Sequence, residues 1–209
     1  MCAEVSIDLV DLLYRISKEE REKHKRSPST YWITDLLRCT LKRDYELRYP
    51  ELSESEVFMP SFIVGTLVHR GLQGLLREAI PNSISTEVEG EREVVLPDGR
   101  VVHVSGRADI LIKTGEELVG VEIKSSRSDL GLPKQHHVDQ ARMYNWLFNL
   151  KHTVLIYVSP DRVTQYLVED SASNEEVVER VISRKTPRYE WECRYCIYSV
   201  MCPHKIPSR

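Results

Sequence analysis

The sequence has no apolar run close to the roughly 20 residues that a membrane-spanning helix needs, and its first residues lack the apolar stretch of a secretion signal. We therefore expect no membrane association and a cytoplasmic location, where cysteines are metal ligands or reactive thiols more often than disulfides. No internal repeat or low-complexity segment occurs, and the absence of a G-x-x-x-x-G-K-[ST] motif argues against a helicase. The 209 residues suffice for one domain with a small appendage.

The chain also has little net charge, at −3, which alone weakly disfavours nucleic-acid binding. The charge is unevenly distributed, because seven Lys or Arg and only two Glu lie between Arg180 and the C-terminus. Shorter basic stretches occupy residues 21–26 and 38–43. A local basic patch can bind a phosphate backbone whatever the total charge. The tail is therefore either a solvated basic surface or a nucleic-acid contact.

Hydrophobic periodicity predicts the fold class. Five segments have the period of helices, and Thr34 is the expected N-cap of the second: 5–24, 34–50, 61–79, 138–150 and 173–185. Five segments alternate as strands do, the first three as an antiparallel meander: 87–96, 100–113, 117–126, 153–159 and 164–169. This order predicts an α/β sheet with helices on its faces, preceded by a helical region and followed by a cysteine-rich segment.

Polar residues interrupt two of the predicted strands, in the stretch "GRADILIKTGEELVGVEIKSS" (106–126). A loop over 114–117 would pair Lys113 with Leu118 and place Asp109 directly opposite Glu122, with Cβ atoms roughly 5 Å apart. Two carboxylates this close repel, and a hard divalent cation such as Mg²⁺ or Mn²⁺ resolves the conflict. Lys124 lies two positions on, on the same face as Glu122. The pattern predicts a metal site, and the alternative is an exposed hairpin with a cross-strand ion pair.

Two helical motifs accompany this hairpin. "GTLVH" places His69 one turn after Gly65, and "QARMY" places Gln140 and Tyr144 on one helix face. Together with "GRAD" (106–109) and "EIK" (122–124), these ordered motifs resemble the RecB-type nucleases of the PD-(D/E)xK superfamily. The resemblance implies a restriction-endonuclease-like mixed sheet, metal-assisted hydrolysis of a phosphodiester, and the following roles. His69, Asp109, Glu122 and the Ile123 carbonyl would hold the metal, Lys124 would act on the attacking water, and Gln140 and Tyr144 would position the DNA strand.

Three cysteines near the C-terminus, Cys193, Cys196 and Cys202, form a C-x2-C-x5-C run that is strong evidence for a soft-metal centre. Cys39, in a predicted helix, is the favoured fourth ligand over the terminal Cys2, and His204 is an alternative to either. Zinc and iron–sulfur centres both accept four thiolates, and spacing does not separate them.

One early cysteine, three late ones and the RecB motifs between them resemble the CRISPR-associated RecB-like exonucleases, the Cas4 family. They are also similar to the iron–sulfur nuclease domains of AddB and of the Dna-two helicase–nucleases. The resemblance implies an iron–sulfur cluster, [4Fe–4S] rather than [2Fe–2S] and not zinc. It implies a helical region (1–60) that supplies one cysteine, a nuclease core (61–186) and a cluster segment (187–209). The cluster would clip the first and last of these together.

The expected activity is Mg²⁺- or Mn²⁺-dependent cleavage of single-stranded DNA or DNA ends, mainly 5′ to 3′. The expected task is to process DNA for CRISPR spacer acquisition together with the integrase proteins. One alternative is a DNA-end-binding module that docks partners, and another is a viral or recombination nuclease unconnected with CRISPR. The sequence has no signature of an oligomer interface.

Overall fold

The computed structural model describes residues 8–23 and 28–207, without the side chain of Lys23. The helices are α1 (Leu9–Lys23), α2 (Ile33–Leu36), α3 (Thr40–Arg48), α4 (Pro50–Glu54), α5 (Pro60–Ala79), α6 (Gln135–Phe148), α7 (Asn174–Ile182) and α8 (Glu192–Tyr195). Single 3₁₀ turns follow at Ser55–Phe58 and Ile197–Val200. The strands are β1 (Thr30–Trp32), β2 (Ile84–Val95), β3 (Val101–Thr114), β4 (Glu117–Ser125), β5 (His152–Val158) and β6 (Val163–Val168).

These six strands form one mixed sheet in which β3 is central. Strand β2 pairs with β3 antiparallel along nearly its whole length, from Ile84 opposite Ile112 to Val95 opposite Val101. The other edge of β3 is shared, because β1 pairs with residues 103–105 and β4 pairs with residues 110–114. Beyond β4 the order continues through β5, which is parallel to β4, to β6 at the edge. Residues 106–109, the "GRAD" motif, therefore lie in the gap between β1 and β4.

Helices cover both faces of this sheet. Helix α5 packs on one face, where Val68, Leu72 and Leu76 contact a buried cluster that includes Val121 and Ile123. Helix α6 lies on the other face with α2 and α7, and its Met143, Tyr144 and Leu147 belong to the largest core cluster. The alternation of β4 follows the prediction, since Glu122 and Lys124 bond to Gln140 of α6 while Val121 and Ile123 lie beneath α5.

The predicted helix over 34–50 is wrong in its bounds. Thr34 lies inside the four-residue α2, whose N-cap is Trp32, and the chain leaves helical geometry before α3 begins at Thr40. Contacts with the distant C-terminal region cause this interruption, because the Cys39 N–H donates to Glu192 (2.8 Å) and the Thr40 N–H donates to the Lys185 carbonyl (3.2 Å). The N–H groups of Cys39 and Thr40 therefore bond to the C-terminal region and not to carbonyls of a continuous helix. Strand β1, directly before α2, was also not predicted.

The other helix predictions agree with the structure to within a few residues. Helix α5 begins one residue before the predicted 61–79. Helix α7 is capped by Ser173, whose Oγ accepts a hydrogen bond from the Glu176 N–H (3.1 Å). In α1 four apolar residues that follow the helical period, Leu9, Leu12, Leu13 and Ile16, are exposed. Val5 and Cys2 lie outside the described residues. No helix in the described part of the chain has both the length and the apolar character to cross a membrane.

Candidate active site and cysteine cavity

The β3–β4 hairpin has the predicted register but a shorter loop. Thr114 pairs with Glu117, Lys113 pairs with Leu118, and the turn consists of Gly115 and Glu116 alone, with φ of +63° at Gly115. The paired residues end at Ile110 opposite Val121. Beyond that point β4 continues along β5, where Glu122 pairs with Leu155 and Lys124 with Tyr157. The two strands thus separate at the position where Asp109 and Glu122 face each other.

The Asp109 carboxylate fills the opening between the strands. Its Oδ2 accepts a hydrogen bond from the backbone N–H of Ile123 at 2.7 Å, so a side chain replaces the missing ladder contact. Its Oδ1 lies 3.3 Å from Nδ1 of His69 on α5. Burial alone would lower the pKa of His69, but the hydrogen bond and charge of Asp109 outweigh burial and raise it. One carboxylate therefore joins α5, β3 and β4.

Glu122 and Lys124 form the other half of the site, beneath α6. Lys124 Nζ donates to Glu122 Oε1 (2.6 Å) and to Gln140 Oε1 (2.9 Å), and Gln140 Nε2 donates to the same Glu122 oxygen (2.8 Å). Tyr144 accepts from Gln140 Nε2 (3.2 Å) and donates its hydroxyl proton to the Arg107 carbonyl (2.9 Å). Gln140 and Tyr144 are buried, so their contacts in the structure are with the protein. They hold Glu122 and Lys124 in place.

Burial and neighbouring charges shift the pKa values of Glu122 and Lys124. Burial, followed by the charge of Asp109, raises the pKa of Glu122 well above its usual range in spite of Lys124. Burial would lower the pKa of Lys124, but the attraction of Glu122 outweighs it and the pKa is raised. Glu122 Oε2 is buried and has no hydrogen-bond partner among the residues that the structure describes. An unpartnered buried carboxylate oxygen is costly and suits a cation ligand.

The four cysteines Cys39, Cys193, Cys196 and Cys202 line one cavity of about 210 Å³. They are free thiols of intermediate burial, and burial raises the pKa of Cys39 and of Cys196. Aromatic side chains form much of the remaining wall, with contributions from Tyr45, Trp191, Tyr195 and Tyr198. The structure therefore brings together the predicted early cysteine and the three late ones.

Glu192 ties the two sides of this cavity. Its Oε1 accepts the Cys39 N–H (2.8 Å), and its Oε2 accepts the N–H groups of Arg188 (2.8 Å) and Tyr189 (2.9 Å). Thr40 adds contacts with Lys185 and Thr186. The N-terminal and C-terminal segments are thus joined by hydrogen bonds beside the cysteines.

Comparison with known proteins decides the family. No family model matches the chain. Over 204 residues it is 38% identical to the CRISPR-associated exonuclease Cas4 of Saccharolobus solfataricus, an alignment that covers 95% of this chain and 99% of that protein. The chain belongs to the CRISPR-associated exonuclease Cas4 family. The crystal structure of SSO0001 matches this fold with a TM-score of 0.90 and 37% identity, covering 95% of this chain and 98% of that one. The prediction of a central mixed sheet flanked by helices is confirmed.

The donor atoms of this Cas4-family chain fit the two predicted inorganic groups. Two carboxylates and an imidazole, with one carboxylate oxygen unpartnered, are donors that suit a hard divalent cation. Within residues 8–23 and 28–207, no three His, Cys, Asp or Glu side chains are already gathered to hold an ion, so metal binding requires the ligands to draw together. The four cysteines line one cavity, and four thiolates can hold either a zinc ion or an iron–sulfur cluster.

Sequence reasoning missed a second support of Asp109. Gln73 Nε2 donates to the Asp109 carbonyl (3.1 Å) and also to the carboxylate of Glu87. Glu87 has φ of +53°, rare for a residue with a side chain, and its carboxylate also lies 2.9 Å from Nε of Arg107. Gln73 is one helical turn after His69, and this spacing was the signal available in the sequence.

Proposed function

We propose that this chain is a metal-dependent DNA nuclease that cleaves single strands or frayed DNA ends. The observation that carries the proposal is the convergence of Asp109 and Glu122 beside Lys124, at the point where β4 leaves β3. Membership of a family of CRISPR-associated exonucleases supports the same activity. It also argues against the alternative of a viral or recombination nuclease unconnected with CRISPR.

His69, Asp109, Glu122 and the carbonyl of Ile123 would hold Mg²⁺ or Mn²⁺. Such an ion supplies Lewis-acid activation of water and neutralises charge on the reacting phosphate. Lys124, which donates hydrogen bonds to Glu122 and Gln140, is placed to hold the attacking water or to offset phosphate charge. Gln140 and Tyr144 would keep this ammonium and Glu122 aligned, and through them would fix the DNA strand at the scissile phosphate.

The biological task we propose is the trimming of DNA, mainly 5′ to 3′, before its integration as CRISPR spacers. The partners would be DNA ends and the integrase proteins. The Saccharolobus relative, 38% identical, is described as a CRISPR-associated exonuclease, which supports this task without fixing polarity.

Cys39, Cys193, Cys196 and Cys202 would hold an iron–sulfur cluster, [4Fe–4S] in our proposal. The cluster would join the helical region (1–60) to the cluster segment (187–209) around the nuclease core (61–186). The hydrogen bond from the Cys39 N–H to Glu192 supports this connection, because it joins the first region to the last. Thr40 adds contacts with Lys185 and Thr186 at the end of the core.

Cleavage of labelled single-stranded DNA in Mn²⁺ or Mg²⁺ tests the function. Asp109→Asn and Glu122→Gln should each lower the cleavage rate at least about a hundredfold, the scale of losing one electrostatic stabiliser. Glu117→Gln is the matched control, because Glu117 begins the same strand and pairs with Lys151 at the surface. Cleavage by Asp109→Asn at the control rate would refute the assignment. Cleavage-dead protein that still supports spacer acquisition would favour a DNA-end-binding module instead.

A further inference from the structure

A group of aromatic rings lies between the candidate active site and the cysteine cavity, and the proposed chemistry uses none of them. We call it the aromatic platform, and it consists of Trp191, Tyr195, Tyr189 and His136. Trp191 stacks on Tyr189 with ring centroids 5.7 Å apart and an interplanar angle of 13°. Its centroid also lies 5.1 Å from that of His136 and 6.5 Å from that of Tyr195.

The outer rings of this platform are open to solvent. Trp191 is 47% exposed and Tyr195 is 60% exposed, although both also contribute to the wall of the cysteine cavity. Shielding of a cluster alone does not require this exposure, because a shielding ring gains by being buried. Part of each of these two side chains is therefore accessible to a flat ligand.

The platform is physically connected to the candidate active site. His136 stands at the start of α6, the helix that carries Gln140 and Tyr144. The ring centroid of the next residue, His137, lies 4.1 Å from that of His136. Nδ1 of His137 and the Tyr157 hydroxyl form a hydrogen bond of 2.8 Å. Tyr157 is the register partner of Lys124. A continuous row of rings thus leads from Lys124 to Trp191.

The charge of the platform suits a phosphate backbone. Lys134 is exposed directly before α6, and the guanidinium of the exposed Arg194 lies 5.7 Å from the Tyr195 ring centroid. The carboxylate of Glu192 accepts hydrogen bonds from three backbone N–H groups, so it is held toward the backbone. Burial, with the nearby lysines, lowers the pKa of His136 to about 4, so its ring is neutral at pH 7 and stacks as an aromatic.

We propose that the aromatic platform is a stacking subsite for single-stranded DNA, adjacent to the scissile phosphate. Bases would stack on Trp191 and Tyr195, while Lys134 and Arg194 contact the phosphates. Stacking of this kind tolerates any base, so the subsite would hold the strand without reading its sequence. This inference rests on the proposed nuclease function. It adds where on the protein surface the single-stranded substrate would bind.

Binding of a 2-aminopurine oligonucleotide to the Asp109→Asn protein tests the subsite without cleavage. The probe is a single strand that carries 2-aminopurine at one position, moved one nucleotide at a time through a series. We expect fluorescence quenching at one or two adjacent positions only, because one or two bases stack. Trp191→Leu should remove this quenching and weaken binding roughly five- to a hundredfold, the range of one lost stacking contact. Unchanged binding and quenching in Trp191→Leu would overturn the proposal.

Two further variants separate stacking from structural damage. Trp191→Phe keeps a ring and should restore most of the binding, whereas a merely structural defect near the cysteines would persist. Phe58→Leu removes a ring that is 60% exposed but contacts Tyr14 of α1, and it should bind as the parent does. Iron content and visible absorbance of each variant report whether the cluster is intact. Equal loss of binding in Trp191→Leu and Trp191→Phe, with iron lost from both, would refute stacking as the cause.

Hydrolysis of bis(p-nitrophenyl) phosphate distinguishes failure of the subsite from failure of the function. This small phosphodiester has no chain of nucleotides that could occupy the active site and the platform together. In the otherwise native protein, Trp191→Leu should slow the cleavage of a long single strand but leave hydrolysis of the small diester unchanged. Loss of both activities would overturn the subsite. Absence of both from the native protein, with quenching retained, would refute the nuclease function and leave the subsite standing.

Discussion

Single residues at the site are constrained by packing as much as by chemistry, and Gly106 is the clearest case. Gly106 begins the "GRAD" motif and faces α6 with its cross-strand partner, Gly90. A Cβ added at Gly106 would lie 2.8 Å from Leu147 Cδ2, 2.9 Å from Tyr144 Cε1 and 3.0 Å from Ile33 Cδ1. These neighbours are buried, so α6 can approach the sheet only because position 106 has no side chain.

Gly106→Ala should therefore destabilise the protein by about 1 to 3 kcal/mol, the cost of an overpacked core. It should also lower nuclease activity, because Tyr144 must move. Gly65→Ala is the matched control, since an added Cβ there would meet Ser125 Oγ at an ordinary 3.7 Å. In the middle of α5 it should be neutral or stabilise by up to about 1 kcal/mol. Urea unfolding measures both, and equal midpoints for the two variants would contradict this account.

The sequence was sufficient to predict where a side chain lies when its position depends on local alternation along a strand. Asp109, Glu122 and Lys124 follow from alternation along two strands and a hairpin register, and the register survived an error in loop length. Gln73 and Glu87 were missed because their role depends on the positive φ of Glu87 and on contact between α5 and β2, which no local pattern encodes.

Among the elements, the interruption between α2 and α3 has the largest consequence for the cysteine cavity. It places Cys39 at the N-cap of α3, with φ of −50° and ψ of 124°, where its N–H reaches Glu192. Helix α5 could be predicted almost to the residue because its apolar periodicity is strong and local. The interruption could not, because residues about 150 positions further along the chain cause it.

Glu192→Gln should loosen this connection between elements. The amide group supplies only one acceptor oxygen, so at least one N–H among Cys39, Arg188 and Tyr189 loses its acceptor, at a cost of about 1 to 3 kcal/mol. Urea unfolding of cluster-free protein measures this loss apart from any effect of iron. The neighbouring exposed Glu190 provides the control, since Glu190→Gln should leave the unfolding midpoint unchanged. An unchanged midpoint in Glu192→Gln would show that the connection contributes nothing.

On the scale of the whole molecule, the proposed cluster closes most of the chain into one loop. About 150 residues separate Cys39 from Cys193, and closing a loop of that length contributes roughly 4 to 5 kcal/mol through the unfolded state. The Glu192 and Thr40 hydrogen bonds hold the same two segments together. The first role of the cluster is therefore expected to be structural.

Removal of the cluster should lower the free energy of unfolding by a few kcal/mol and expose the segments around Cys39 and Cys193 to proteases. Chelation of iron from reduced protein, followed by denaturant unfolding and limited proteolysis, measures both effects. Cys39→Ser should reproduce them, whereas Cys2→Ser should keep the visible absorbance. If Cys2→Ser lost its colour and Cys39→Ser kept it, the ligand assignment would be reversed.

The location of a bound divalent ion tests the central claim most directly. We expect crystals grown with Mn²⁺ to give one strong anomalous peak at the opening between β3 and β4, with His69, Asp109 and Glu122 as ligands and Lys124 beside it. The peak should be absent from Asp109→Asn crystals grown in the same solution. A manganese peak elsewhere, or Asp109 and Glu122 turned away from the ion, would contradict the account.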